Sequence, residues 1–111
     1  MKVKFIKWKN VEAFCENDHL KNKAFKQFLQ RTKFTDWENP QDIVQTFKNS
    51  DLVTCKKGLP RIIFNVARNR FRLICGYSFR TKTVNLYIKF IGTHKEYDLI
   101  NVCKVNMFKN N

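Results

Sequence analysis

From Leu52 to Lys95 the chain contains ten Lys and Arg residues and no Asp or Glu. The same stretch carries three runs of β type, R-I-I-F-N-V, R-F-R-L-I-C and V-N-L-Y-I-K-F, with apolar residues at alternate positions. Alternation gives each strand one apolar face and one face for its charge. A sheet built this way is constrained twice: helices must cover one side, and unneutralised cations collect on the other. The cations are Lys56, Lys57, Arg61, Arg68, Arg70, Arg72, Arg80, Lys82, Lys89 and Lys95, within a chain of formal net charge +13. A bound polyanion relieves the repulsion among them.

With 111 residues the chain is expected to form a single domain over 1–111 with one core, and eleven Phe residues supply ample apolar volume. A sequence pI near 9.9 makes nucleic acid the leading class of partner. Cys15, Cys55, Cys75 and Cys103 form no C-x-x-C pair, and neither histidine completes a zinc spacing. Neighbours such as Phe14, Ile74 and Val102 mark them as small core residues in a reducing compartment rather than disulfides or ligands. No metal and no cofactor is expected. The start M-K-V-K-F-I-K-W-K lacks a signal-peptide core, and no apolar run approaches the about 20 residues of a membrane span. The expectation is a cytoplasmic protein with no membrane partner.

In chain order, Val3 and Phe5 alternate with Lys2 and Lys4 as a short strand. Asn10 is placed to cap a helix through Val11, Phe14 and Cys15, and Asn17-Asp18 interrupts it and is placed to cap a second with Leu20, Ala24, Phe25, Phe28 and Leu29 on one side. Asn39-Pro40-Gln41-Asp42 marks a third helix start: a capping side chain, a proline at N1, then an acid in the first turn. Ile43, Val44 and Phe47 should face inward. Ser50-Asp51 ends that helix, and a loop leads past Gly58-Leu59-Pro60 into the strands. Ile62, Phe64 and Val66 share one face, as do Phe71, Leu73 and Cys75, then Val84, Leu86, Ile88 and Phe90. Ala67-Arg68-Asn69 is the first turn, with Asn69 suited to the left-handed region. Residues from His94 to Val102 read as a last helix, followed by a polar end that frays. The fold expected is α+β, a small antiparallel-rich sheet with helices packed on one face and the opposite face, carrying Arg70, Arg72 and Lys89, left open.

The segments W-E-N-P-Q-D-I-V-Q-T-F at 37–47, F-N-V-A-R-N-R-F-R-L at 64–73 and V-N-L-Y-I-K-F-I-G-T-H-K-E-Y-D at 84–98 resemble the HigB toxins of the RelE/ParE toxin–antitoxin superfamily. The similarity keeps its order and spacing from about Phe25 to Asp98. It implies a RelE-like fold and a type II toxin acting as a ribosome-dependent mRNA interferase, with a HigA-type helix-turn-helix antitoxin as partner. One departure stands out. Ala67-Arg68 occupies positions where many members of that family have two glycines, which adds a charge and stiffens the turn.

Metal-free RNA cleavage uses the 2′-hydroxyl as nucleophile, so it needs proton acceptors and donors and cations for the phosphate oxygens. His94 supplies an imidazole, the type of side chain suited to proton transfer near neutral pH, and lies at a strand–helix junction; otherwise it caps or packs. Tyr97, one turn on, is placed to stack on a base or share proton work, or else to belong to the core. Arg72 and Lys89 are candidates for binding phosphate or moving a proton, and these four, His94, Arg72, Lys89 and Tyr97, form the candidate catalytic set. Asn65, Arg68, Asn69, Arg70 and Lys95 are candidates for RNA binding. Asp98 is expected to pair with a nearby Arg or Lys. Two other readings are compatible with the same residues: a ParE-like toxin directed at gyrase, and a non-catalytic RNA- or DNA-binding module.

Overall fold

The computed structural model describes residues 1–108. The chain runs β1 (Lys2–Ile6), α1 (Lys9–Cys15), α2 (His19–Lys33), α3 (Pro40–Thr46), β2 (Asp51–Val53), β3 (Arg61–Val66), β4 (Phe71–Phe79), β5 (Thr83–Thr93) and α4 (His94–Tyr97). The strands form one sheet in the order β1-β5-β4-β3-β2. β1 lies parallel to β5, and the other neighbours are antiparallel. The α+β, antiparallel-rich architecture is therefore the one expected.

The first three helices lie on one face because their apolar stripes match the alternation of the strands. Val11 and Cys15 from α1, Phe25 and Phe28 from α2, and Ile43 with Phe47 at the end of α3 join Ile62, Phe64, Val66, Leu73 and Leu86 in one core. Phe28, Phe47 and Phe64 meet pairwise, with ring centres 4.9, 5.0 and 5.4 Å apart. Such contacts add about 0.5–1.5 kcal/mol each beyond simple burial. The helix starts are held as the sequence indicates in two places. Asp18 accepts from the Lys21 amide at 3.0 Å, and Asn39 with Asp42 closes a capping box over Pro40. At α1 the expectation fails. The helix begins at Lys9, its cap position is Trp8, and Asn10 lies inside it. Trp8 packs against Phe5 at 4.9 Å and stacks on Phe28 at 6.4 Å, so ring packing rather than side-chain capping places that end.

Three further expectations are corrected. The segment after α3 is not only a loop: Asp51–Val53 adds an edge strand beside Arg61–Ile63. Second, β5 is bulged. Ile74 pairs with Phe90 while Cys75 pairs with Ile88, so one extra residue, Lys89, shifts the alternation. Phe90 thereby leaves the core face for the opposite one, and Ile91 takes its place in the core. Third, the last helix stops at Tyr97 rather than Val102. The chain beyond it runs across the second face of the sheet, where Ile100, Val102 and Val105 pack with Tyr97 and Val53 on Ile63, Ile74 and Phe90. A continued helix would keep only every third or fourth residue on that surface.

The second face is thus covered, not open, and the covering strap is fastened at several points. Arg61 donates from Nη1 to the carbonyls of Val102 and Val105, both at 2.6 Å. The Met107 amide donates to the Lys89 carbonyl at 2.9 Å. Cys55 and Cys103 form a disulfide across a separation of 48 residues, with Cα atoms 5.6 Å apart. Those two cysteines are therefore not the isolated core residues expected, because the β2–β3 loop and the strap meet only in the folded chain. Cys15 and Cys75 are buried free thiols as read, and burial pushes both thiols up from their ordinary pKa. No described helix is long and apolar enough to cross a membrane. The fraying expected of the last residues, 109–111, lies outside the described residues.

Candidate functional site

The turn from β3 to β4 and the end of β5 meet at one corner of the sheet. Ala67, Arg68 and Asn69 all have positive φ, at 54°, 55° and 84°. Asn is well suited to this region, whereas Ala and Arg are strained in it, by about 1 kcal/mol each. The turn brings the Asn69 carbonyl within 3.1 Å of Nη1 of Arg72, which donates to it. Arg72 sits opposite Asn65 on β3 and Gly92 on β5. Gly92 has to be small: a Cβ there would lie 2.8 Å from Cζ of Phe90 and 3.1 Å from Oε1 of Glu96.

β5 ends where α4 begins, and a capping box fixes the junction. The Thr93 hydroxyl accepts from the Glu96 amide at 3.2 Å, and the Thr93 amide donates to Glu96 Oε1 at 2.8 Å. These bonds hold the Glu96 carboxyl below its ordinary pKa, the backbone donor first. The His94 amide donates to the Arg70 carbonyl at 3.1 Å, tying α4 to the turn. One turn of helix then sets Tyr97 and Asp98 beside His94.

The resulting arrangement is compact. Arg72 is only 8% exposed, and its guanidinium carbon lies 5.3 Å from the centre of the Tyr97 ring. Among the described residues no carboxylate pairs with it. His94 stands edge-on to Tyr97 with ring centres 6.5 Å apart. Its Nδ1 faces Oδ2 of Asp98 at 3.3 Å, and about half of each side chain is exposed. Asp98 therefore pairs with His94, not with an Arg or Lys as expected. The spacing of four residues was the signal for that pair in the sequence.

Of the residues singled out from sequence, His94, Arg72 and Tyr97 come together here, with Asn69, Arg68, Arg70 and Lys95 exposed around them. Asn65 is the register neighbour of Arg72, but its side-chain nitrogen donates to the Asn49 carbonyl at 2.6 Å and braces the loop before β2. Lys89 is not brought to the corner. Its Cε lies 3.7 Å from where a Cβ would sit on Gly76, four residues beyond Arg72 along β4. That offset is about 13 Å at the usual rise of a strand. Ile74 and Phe90, under the strap, lie between the two cations. Arg61, counted with the basic face, is instead the anchor of the strap, and desolvation lowers its pKa. Among the described residues no three His, Cys, Asp or Glu side chains gather as a metal site.

Chemically, the corner offers a buried cation with spare donors, a half-exposed imidazole and an aromatic face. Such a set suits an anion that carries a planar base. A family model, HigB_toxin, described as the RelE-like toxic component of a toxin–antitoxin system, matches residues 21–100, a span that includes all of these side chains. A comparison with curated proteins finds no match.

Proposed function

Because the chain belongs to the HigB toxin family of RelE-like toxic components of toxin–antitoxin systems, we propose that it is an endoribonuclease that cleaves mRNA on translating ribosomes. The observation that carries this reading is the guanidinium of Arg72, buried beneath Tyr97 beside a half-exposed imidazole, with no acidic partner among the described residues. A buried, uncompensated cation is expensive, and a phosphate is the anion that removes the expense at this corner.

In the proposed reaction the ribose 2′-oxygen attacks the adjacent phosphorus while the bond to the 5′-oxygen breaks. The products are a 2′,3′-cyclic phosphate and a free 5′-hydroxyl. Arg72 neutralises charge on the non-bridging oxygens as it builds up. Asp98 holds Nδ1 of His94, leaving Nε2 as the nitrogen that exchanges a proton with the reacting oxygens. Tyr97 keeps the guanidinium in place and offers its edge or hydroxyl to the nucleotide. Arg68, Arg70 and Lys95 hold the flanking phosphates, and Asn69 contacts ribose or base from the turn. Lys89 has no part in the chemistry. Its place beside Gly76, about 13 Å along β4 from Arg72, supports leaving it out of the reaction.

The test is purified protein added to a translating extract, with transcript 5′ ends mapped. Arg72→Ala and His94→Ala should each lose at least ~10²-fold in cleavage rate. Transcripts left intact by the unaltered protein, on ribosomes and off them, would overturn the reading. RNA binding without cleavage would make the chain a binding module, and DNA damage with intact mRNA would point to gyrase.

A further inference from the structure

The side of α2 turned away from the core borders three adjoining hollows, of about 150, 240 and 620 Å³. Gln27 borders all three, and Lys23, Ala24, Arg31 and Ala67 each border two, so the hollows form one groove between α2, the end of α3 and the β3–β4 turn. Its floor is apolar: Leu20, Ala24, Phe28, Phe47 and Val66. Leu20 leaves 45% of its surface exposed, although the sequence pattern assigned it to the buried stripe. The rim is cationic. Lys23, Lys26 and Arg31 line it and no lining residue is acidic. Arg31 is held in position, with its guanidinium 4.5 Å from the centre of the Phe47 ring and a hydrogen bond to the Thr46 carbonyl.

An apolar floor with a basic rim differs from the Arg72 corner, where the cation is buried against the Tyr97 ring. It fits a segment with apolar side chains on one face and carboxylates on the other. RNA would match the rim and leave the floor unfilled. We infer that this groove is the docking surface for an acidic, amphipathic helix of the antitoxin. The inference rests on membership in a toxin–antitoxin family and is independent of the cleavage chemistry. It also separates inhibition from the catalytic corner, since the groove flanks the turn at Ala67 rather than Arg72.

The experiment is co-expression of the tagged chain with its antitoxin, followed by a measured dissociation constant for the purified pair. Leu20→Glu and the double variant Lys23→Glu/Lys26→Glu alter only side chains at the surface of α2, so folding should survive; circular dichroism checks it. Each should weaken the complex at least ~10-fold, while Lys2→Glu/Lys4→Glu on the β1 edge should leave it within about twofold. Unchanged affinity in both α2 variants would overturn the inference, as would failure of the unaltered pair to associate. Loss of ribosome binding with intact antitoxin binding would assign the groove to RNA and overturn it as well. Cleavage activity is not read in any arm, so its absence cannot be mistaken for failure here.

Discussion

The guanidinium carbon of Arg72 lies 5.3 Å from the centre of the Tyr97 ring, and those two residues join the sheet to its only covering on the second face among the described residues. Arg72 comes from the middle of the sheet; Tyr97 begins the strap. The contact makes the candidate site depend on where the strap lies.

Arg72→Met tests whether the buried cation exists for function. Replacing a buried charge that pairs with no carboxylate among the described residues by an apolar side chain of similar length should leave stability unchanged or raise it by about 1 kcal/mol. Cleavage should fall by at least ~10²-fold. Denaturant unfolding alongside the cleavage assay checks both. A stability loss above about 2 kcal/mol would show that the guanidinium is chiefly structural.

Cys103→Ser opens the loop closed by Cys55, a separation of 48 residues. Loop-closure entropy for that length sets an effect of about 4 kcal/mol, and measured cases commonly give about 2–4. Urea unfolding should show that loss, and hydrogen exchange should speed up across residues 99–107. Reductant should reproduce the change in the unaltered protein and do nothing more to the variant. Equal stability with and without the bond would refute the strap's dependence on it.

Gly92→Ala places a methyl group 2.8 Å from the Phe90 ring and 3.1 Å from the Glu96 carboxylate. Phe90 is buried and cannot move freely, so the variant should lose about 1–3 kcal/mol. Thermal unfolding is the measurement. Because the same methyl disturbs the capping box of α4, cleavage should drop by more than the fraction unfolded explains.

The capping box also predicts a pH dependence. The folded pKa of Glu96 is depressed by its bonds to Thr93, so its contribution is present above the unfolded carboxyl value, about 4.3, and is lost as pH falls through the folded pKa. The stability gap between the unaltered protein and Glu96→Ala should be constant from pH 7 down to about 5 and should close below about pH 4. A gap that persists at pH 2 would mean that apolar packing, not the carboxylate, is what Ala removes.

Much of this was legible in the chain because it is written locally. Alternation along β3 and β4 fixed their faces, Asn17-Asp18 and Asn39 marked two helix starts, and the left-handed turn was marked by Asn69. The family resemblance rested on contiguous motifs, and the match over residues 21–100 confirms it. The gathering of Arg72, His94 and Tyr97 also followed from local rules, since strand pairing and one helical turn are enough to bring them together.

What the tertiary structure alone decided involves partners distant in sequence. A bulge at Lys89 requires two strands to be compared residue by residue, and it moves Phe90 across the sheet while leaving Lys89 far from Arg72. The Cys55–Cys103 bond and the Arg61 contacts to Val102 and Val105 join segments separated by more than forty residues. Helical spacing after His94 looked continuous, yet the apolar triad of Ile63, Ile74 and Phe90 on the second face needed covering, and burying it outweighed one more turn of helix. The amino-acid order specified the strands and their charge; the three-dimensional packing specified which of those charges was buried, with no counterion among the described residues.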